Sequence, residues 1–284
     1  MEGPADRCNR TTCPYCGVGC GVLATVSETG DVSVAGDPDH PANFGRLCSK
    51  GAALGDTLGE DGRLLYPEIN GRRASWDEAL DLVARQFSQT IAEHGPQSVA
   101  LYVSGQLLIE DYYVANKLMK GYVGTANIDT NSRLCMASSV AGHRRAFGSD
   151  TVPGCYKDLE TADLVILVGS NLAWCHPVLF QRLLAARGKR GTRIVVVDPR
   201  RTVTAEAADL HLPIRPGSDV ALFNGLLSWL HGNGFTDGDY VTRYTSGMSR
   251  ALAQARDMTA SDTSALTGID RSALETFFRM FGET

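Results

Sequence analysis

Asp163-Leu164-Val165-Ile166-Leu167-Val168 and Arg193-Ile194-Val195-Val196-Val197 are two unbroken apolar runs, and Pro177 to Arg187 between them reads as a helix. Strands without polar alternation are buried on both faces, and a helix joining two of them is the crossover of a parallel pair. Working outward, Asp209 to Ile214 reads as a third strand and Asp219 to Leu230 as the helix that follows it. Ala273 to Met280 forms an amphipathic helix without a clear stop. Upstream, Ser75 with Glu78 three residues on makes a capping box for a helix whose apolar face is Ala79, Leu82, Val83 and Phe87. Gly95-Pro96 stops that helix, Ser98 to Val103 is a short strand, and helices are expected over Glu110 to Tyr122 and Met136 to Phe147. The fold class is therefore α/β, with a parallel sheet covered on both faces.

The first 60 or so residues have a different texture, rich in Gly, Cys and turn formers. Gly21 to Val26 and Val32 to Ala35 read as strands around a turn at Glu28-Thr29-Gly30-Asp31, and the loop from Gly36 to Pro41 returns the chain to Gly45-Arg46-Leu47-Cys48. Cys13, Cys16, Cys20 and Cys48 give the spacing C-x2-C-x3-C-x27-C. A cubane cluster needs one thiolate at each of four iron corners, and a tight loop loosened by Gly17 and Gly19 can reach three of them. Structural zinc more often takes two separated C-x2-C pairs or adds histidines, and Cys13 and Cys16 are too close for an ordinary structural disulfide. An iron–sulfur cluster is the expected occupant, and the organising element of a segment too small and polar to hold a core alone.

Composition narrows the function classes. The 284 residues are 43 % hydrophobic and 21 % charged, ordinary for a globular chain. The balance of 27 basic against 32 acidic residues, a net −5, does not suggest nucleic acid as a partner. No apolar run is long enough for a membrane span, and Met1 to Arg10 is short and polar without a signal core, so a cytoplasmic protein with reduced thiols is expected. Three turns after strands are ligand candidates: Gly169-Ser170-Asn171, Asp198-Pro199-Arg200-Arg201-Thr202 and Gly217-Ser218-Asp219. An acidic residue at a strand end can bind ribose hydroxyls and arginines can hold phosphate, although the same residue types also serve plain turns. None forms G-x-G-x-x-G, so the ligand suggested is nucleotide-containing but not a plain NAD.

Taken in order, Cys13, Cys16, Cys20, the run Gly45-Arg46-Leu47-Cys48-Ser49-Lys50-Gly51 and the segment Asn131-Ser132-Arg133-Leu134-Cys135-Met136-Ala137-Ser138-Ser139 resemble the molybdopterin oxidoreductases that carry a bis-guanine-dinucleotide cofactor. The resemblance spans essentially the whole chain. Closest in pattern are the bacterial assimilatory nitrate reductases, with His40-Pro41-Ala42-Asn43-Phe44-Gly45 adding to the match. It implies a [4Fe–4S] cluster on the four cysteines and Mo-bis(molybdopterin guanine dinucleotide), with Cys135 ligating molybdenum and Lys50 lying between cluster and pterin. Read alone, Cys135 is only a thiol at a helix start. Gln106, Asn131, Gly169 to His176, Asp198 to Thr202 and Gly217 to Asp219 would contact the dinucleotides, Gln106 and Asn131 by family position alone. The implied reaction is reduction of nitrate to nitrite by oxygen-atom transfer, fed by a soluble donor such as a ferredoxin or a nicotinamide-linked flavoprotein.

Two other readings stand beside this one. Formate dehydrogenases share the motifs but typically place histidine directly after the metal-ligating residue, where this chain has Met136. A small iron–sulfur electron carrier with an attached α/β domain is the non-enzymatic alternative. Members of the family are much longer than this chain, so a fragment is expected, inactive and poor at holding cofactor by itself. The division that the resemblance implies is a small cluster domain with short strands at 1–59, the first part of an α/β domain at 60–134 completed by downstream sequence, and a truncated Rossmann-like, parallel-sheet dinucleotide-binding domain at 135–284. Cys8 has no slot in the motif, Cys155 and Cys175 are expected to be small packing residues, and Arg144-Arg145 a solvated helix face.

Overall fold

A computed structural model describes residues 7–130, 132–255 and 258–284, with the side chains of 132–135 outside the description as well. The chain divides into two compact units, one of residues 1–55 with 154–284 and one of residues 56–153. Among the described residues no helix is long and apolar enough to cross a membrane.

The first unit opens with an antiparallel sheet of β1 (Arg7–Thr12), β2 (Gly21–Val26) and β3 (Val32–Gly36), in that order. β2 and β3 fall where the alternation places them. β1 was not evident in the sequence, because every residue of it is exposed and no apolar face marks it. Its partner decides its form: Arg7 pairs with Val26 and Thr12 with Gly21. The pairing makes residues 13–20 the closing loop of a hairpin. The short helix α1 (Ser49–Ala52) follows Cys48.

The second unit contains a two-stranded hairpin of β4 (Glu68–Ile69) and β5 (Arg72–Arg73), then α2 (Trp76–His94), β6 (Leu101–Val103), α3 (Ile109–Asn116), β7 (Ile128–Thr130) and α4 (Ser132–Phe147). Ser75 caps α2 by accepting from the Glu78 amide, whereas the Glu78 carboxylate goes to Arg72 at 2.6 Å rather than back to the cap. The helix expected over Glu110 to Tyr122 is α3 continued by a π-helical turn, Lys117–Val123, which ends where Gly124 takes φ 81°. β6 and β7 pair in parallel, Val103 opposite Thr130.

The chain then returns to the first unit through α5 (Asp158–Thr161), β8 (Leu164–Val168), α6 (Leu172–Cys175), α7 (Pro177–Arg190), β9 (Arg193–Val197), α8 (Val203–Glu206), β10 (Leu210–Leu212) and α9 (Asp219–Gly232). α10 (Gly238–Tyr244), α11 (Met248–Ala255), α12 (Ala260–Thr267) and α13 (Arg271–Gly282) complete it. The parallel sheet has β9 at its centre, between β8 and β10. Alternation along β9 sends Ile194 and Val196 into one core and Val195 and Val197 into another. On the first face lie Val178, Leu179 and Leu183 of α7 together with Cys13, Val18, Cys20 and Val22 of the cysteine hairpin. On the second lie Leu222 and Leu226 of α9 and Leu274, Phe277 and Phe278 of α13, the last three fully buried. The helix that looked unfinished in sequence thus closes the far side of this sheet. The cysteine hairpin owes its apolar backing to the Rossmann-like sheet, which its own composition could not supply.

Candidate functional site

Cys13, Cys16, Cys20 and Cys48 line a single cavity, closed by Tyr15, Val18 and Leu47 and by Pro177 and Val178 at the start of α7. The hairpin ladder continues into the loop, with the Cys13 amide donating to the Cys20 carbonyl at 2.9 Å, so two sulfurs sit at anchored loop ends. Gly19 takes φ 66°, the left-handed turn that a side chain would resist. The thiols crowd one another. Burial first, then the charges of Cys13, Cys16 and Cys48, push the Cys20 thiol up to about 11. A cationic partner beside Cys20 would relieve that penalty, which is what an iron–sulfur cluster supplies. Among the described residues no three His, Cys, Asp or Glu groups converge on one metal-ion position. Four cysteines on one cavity match the one thiolate per iron corner that a cubane cluster needs.

Side chains that the sequence reading passed over hold this loop. Asn43 is fully buried and accepts from the Gly21 amide while donating to the carbonyls of Gly21 and Arg46, tying the strand after Cys20 to the turn before Cys48. Position 21 must be glycine, because a Cβ there would lie 2.3 Å from His40. Phe44 adopts φ 46°, strained for an aromatic residue, between this latch and Gly45. Arg182 of α7 is buried, donates to the carbonyls of Pro41 and Ala42 and pairs with Glu160 at 2.8 Å. The Tyr156 hydroxyl donates to the carbonyls of Gly17 and Val18, both at 3.0 Å. A spacing of cysteines can be seen in one dimension; these contacts join residues 139 and 141 positions apart and cannot.

The strand-end turns gather at the carboxyl edge of the parallel sheet. Gly169 takes φ 58° and its amide donates to Val197, the last residue of β9. Asn171 accepts from Thr204, which in turn accepts from the Ala173 amide, so the turns after β8 and β9 are joined. Asp198 is buried and accepts from the Arg200 amide, while its carbonyl meets His211 of β10 at 2.8 Å. Pro199, Arg200 and Arg201 follow it, the two arginines exposed, and Thr202 caps α8. Ser170 is half-buried beside Gly169, and His176 is half-buried at the cap of α7, directly before cavity residues Pro177 and Val178. Gly217 takes φ 80°, Ser218 donates to the Arg215 carbonyl, and Asp219 opens α9. Exposed arginines and small residues at this edge suit a phosphate-bearing ligand.

In the second unit, Gln106 is exposed just beyond β6, and α4 begins just beyond β7, so both lie past the carboxyl ends of one parallel pair. Asn131 and the Cys135 side chain fall outside the described residues. A cavity of about 560 Å³ opens between β7 and α4, lined by Asp129, Thr130, Met136, Ala137, Val140 and Arg144 among others. Arg144 and Arg145 are both exposed, as the sequence suggested, and Arg144 also borders this cavity. Lys50 is exposed on α1, one residue before Gly51 of the cysteine cavity. Cys155 and Cys175 are exposed rather than packed, and the Cys155 amide donates to Asp158 in a local turn.

Comparison with known proteins now bears on this geometry. Residues 63–249 match the family described as molybdopterin oxidoreductase, and residues 6–59 match the molybdopterin oxidoreductase Fe4S4 domain. The chain belongs to the molybdopterin oxidoreductase family. Its cofactors are accordingly a [4Fe–4S] cluster and a molybdopterin cofactor. Among relatives of this oxidoreductase, a nitrate reductase of Klebsiella oxytoca is 55 % identical over 96 % of the chain and 31 % of the relative. One of Shewanella frigidimarina is 49 % identical over 95 % of the chain and 30 % of the relative. A periplasmic nitrate reductase of Desulfovibrio desulfuricans matches at 45 % over 77 % of the chain and 30 % of that protein. An F420-dependent formate dehydrogenase alpha subunit of Methanococcus maripaludis matches at 34 % over 96 % and 40 %. The solved acetylene hydratase from Pelobacter acetylenicus superposes with a TM-score of 0.81 at 27 % identity, covering 96 % of the chain and 38 % of that structure. The chain spans about a third of the length of the nitrate reductases it matches.

Proposed function

We propose that this oxidoreductase reduces nitrate to nitrite, with electrons entering through the cluster held by Cys13, Cys16, Cys20 and Cys48. The observation that carries the reading is the identity of 55 % and 49 % to nitrate reductases across nearly the whole chain, against 34 % to the formate dehydrogenase. Met136 after the candidate metal ligand Cys135 agrees with it, since a thioether has no proton to exchange. The match over residues 63–249 weighs against a bare iron–sulfur carrier.

The molybdenum cofactor, of the bis-guanine-dinucleotide type, supplies two-electron oxygen-atom chemistry, and the cluster supplies electrons singly. The chain's own residues bind and orient these groups. Cys135 would offer a thiolate to molybdenum from a helix start, where the dipole favours the charged form. Arg200 and Arg201 would pair with dinucleotide phosphates, and Asp198 with a ribose hydroxyl. Gly169, Ser170 and Asn171 would let the backbone approach closely, Gly217, Ser218 and Asp219 would hold the far side of the same ligand, and Gln106, Asn131 and His176 would make polar contacts with it. Lys50 would place an ammonium beside the pterin and favour electron density arriving there. We also infer the assimilatory, cytoplasmic type; the exposed and unbridged Cys8, Cys155 and Cys175 suit a reducing compartment.

Further polypeptide would cover the exposed Trp76, Leu80 and Val83 of α2 and complete the cofactor cavity. Residues 1–284 alone are therefore expected to hold little molybdenum and to turn over no nitrate. The deciding assay uses the full-length protein purified without oxygen and offered reduced methyl viologen with nitrate, or oxidised viologen with formate. Dye oxidation with nitrite formation supports the reading; dye reduction by formate without nitrate turnover overturns it.

A further inference from the structure

One cleft of the cluster-bearing unit has a charge opposite to that of the chain. Arg46, Lys157, Arg182, Lys189 and Arg190 line it against one carboxylate, Glu160, on a chain of net charge −5. Arg182 is buried, while Lys157, Lys189 and Arg190 are exposed. Glu160 is shared between Lys157 at 2.9 Å and Arg182 at 2.8 Å, so its charge is already spent. Among the described residues Lys189 makes no ion pair, and the Arg46 guanidinium is paired with no carboxylate and donates to the Asn43 carbonyl at 3.4 Å. Arg190 has Asp163 at 3.4 Å, a loose and exposed pair worth little in water. The field over the cleft is positive.

This cleft is built from the segments that enclose the four cysteines. Arg46 precedes Leu47 and Cys48, both in the cysteine cavity, and lies within about 7 Å of Cys48 along the chain. Lys157 follows Tyr156, whose hydroxyl holds the loop between Cys16 and Cys20. Lys189 and Arg190 end the helix whose first residues, Pro177 and Val178, wall the same cavity. Cations in a last helical turn also complement the helix dipole, which could by itself account for those two. It does not account for Arg46 and Lys157, which come from other segments and extend the same patch towards the cysteines.

We propose that this cleft is the docking face for an acidic one-electron carrier protein, resting on the nitrate-reducing reading above. Charge complementarity of this kind speeds encounter and fixes orientation more than it adds affinity. Each docking oxidises the carrier by one electron and reduces the cluster by one. Two dockings and two protons from solvent balance the conversion of nitrate to nitrite and water.

The test uses the full-length holoenzyme and, as probe, an acidic [2Fe–2S] ferredoxin whose binding is measured by titration calorimetry in about 20 mM and about 200 mM salt. Wild type should lose at least about tenfold in affinity across that range, and the double variant Lys189→Glu, Arg190→Glu should lose at least about tenfold at low salt. Lys189→Glu alone, which breaks no pair, should weaken binding about threefold with an unchanged melting temperature, where a dipole role would move only the latter. Affinity within about twofold of wild type in the double variant, no salt dependence, or equal binding of a basic cytochrome c overturns the proposal. Viologen-driven nitrate turnover is run in parallel. Its absence overturns the nitrate reading, while the binding data alone decide the docking face.

Discussion

Helices α7 and α2 are both amphipathic and both well terminated, yet they stand differently in the molecule. α7, 14 residues long, buries Val178, Leu179, Arg182, Leu183 and Ala186; α2, 19 residues long, buries none. The contrast extends to their units. Two apolar cores flank the sheet of β8, β9 and β10, whereas the described buried residues between 56 and 153 are Ala74, Val99, Met119 and Thr125. α2 is held by local means: the Ser75 cap, the Arg72–Glu78 pair and Gln89 bonding Glu93 four residues on. Capping and periodicity make a helix without deciding what it packs against. In the first unit the partner is a sheet already in the chain; in the second, Ala79, Leu82 and Phe87 of the apolar face are only half-buried and Val83 is exposed.

The largest effect should come from removing iron. Chelation under reducing conditions should release amide protection across residues 13–48, followed by hydrogen exchange, and leave the exchange of 76–94 unchanged. Equal change in both segments would break the distinction between the units. Next, Leu183→Ala should cost about 2–5 kcal/mol in denaturant unfolding of residues 1–284, since Leu183 is fully buried. Leu80→Ala on α2 should stay within about 0.5 kcal/mol, because that side chain is 60 % exposed. In the full-length protein the Leu80 change should rise to about 2 kcal/mol or more if further chain covers α2.

Smaller effects sharpen the contrast. Ser75→Ala should lower stability of the second unit by about 1 kcal/mol, seen as lost helical circular dichroism. The smallest effect is a pH dependence in the first unit. Hydrogen bonding from Lys157, and then the Arg182 guanidinium, holds the Glu160 carboxyl below its ordinary 4.5. A depressed carboxylate contributes stability that is fully present above its ordinary value and is lost as pH falls through the folded value. Melting temperature should therefore decline below about pH 4.5 more steeply in wild type than in Glu160→Gln. Superimposable acid limbs would remove Glu160 from the account.

Much of this fold was legible because its signals are local. Continuous apolar runs marked β8 and β9, and the alternation after Cys20 marked β2 and β3. β1 was hidden, since its polar and exposed side chains leave only the pairing with β2 to define it. α10, α11 and α12 were also missed, lying in polar sequence where short helices depend on caps such as Thr259 and Asp237. The cysteine spacing exposed the cluster loop, but the Asn43 latch and the Arg182 and Tyr156 clamps depend on contacts across 22 to 141 positions.

The central claim is that four particular thiols, and no others, organise the first unit around a [4Fe–4S] cluster. Electron paramagnetic resonance with iron analysis on the dithionite-reduced chain, reconstituted without oxygen, tests it most directly. Wild type and the Cys8→Ser, Cys155→Ser and Cys175→Ser variants should carry about four irons per chain and one spin-half signal. Cys13→Ser, Cys16→Ser, Cys20→Ser and Cys48→Ser should each lose or alter that signal. A full wild-type signal in any of these four, or its loss with Cys8, Cys155 or Cys175, would contradict the account.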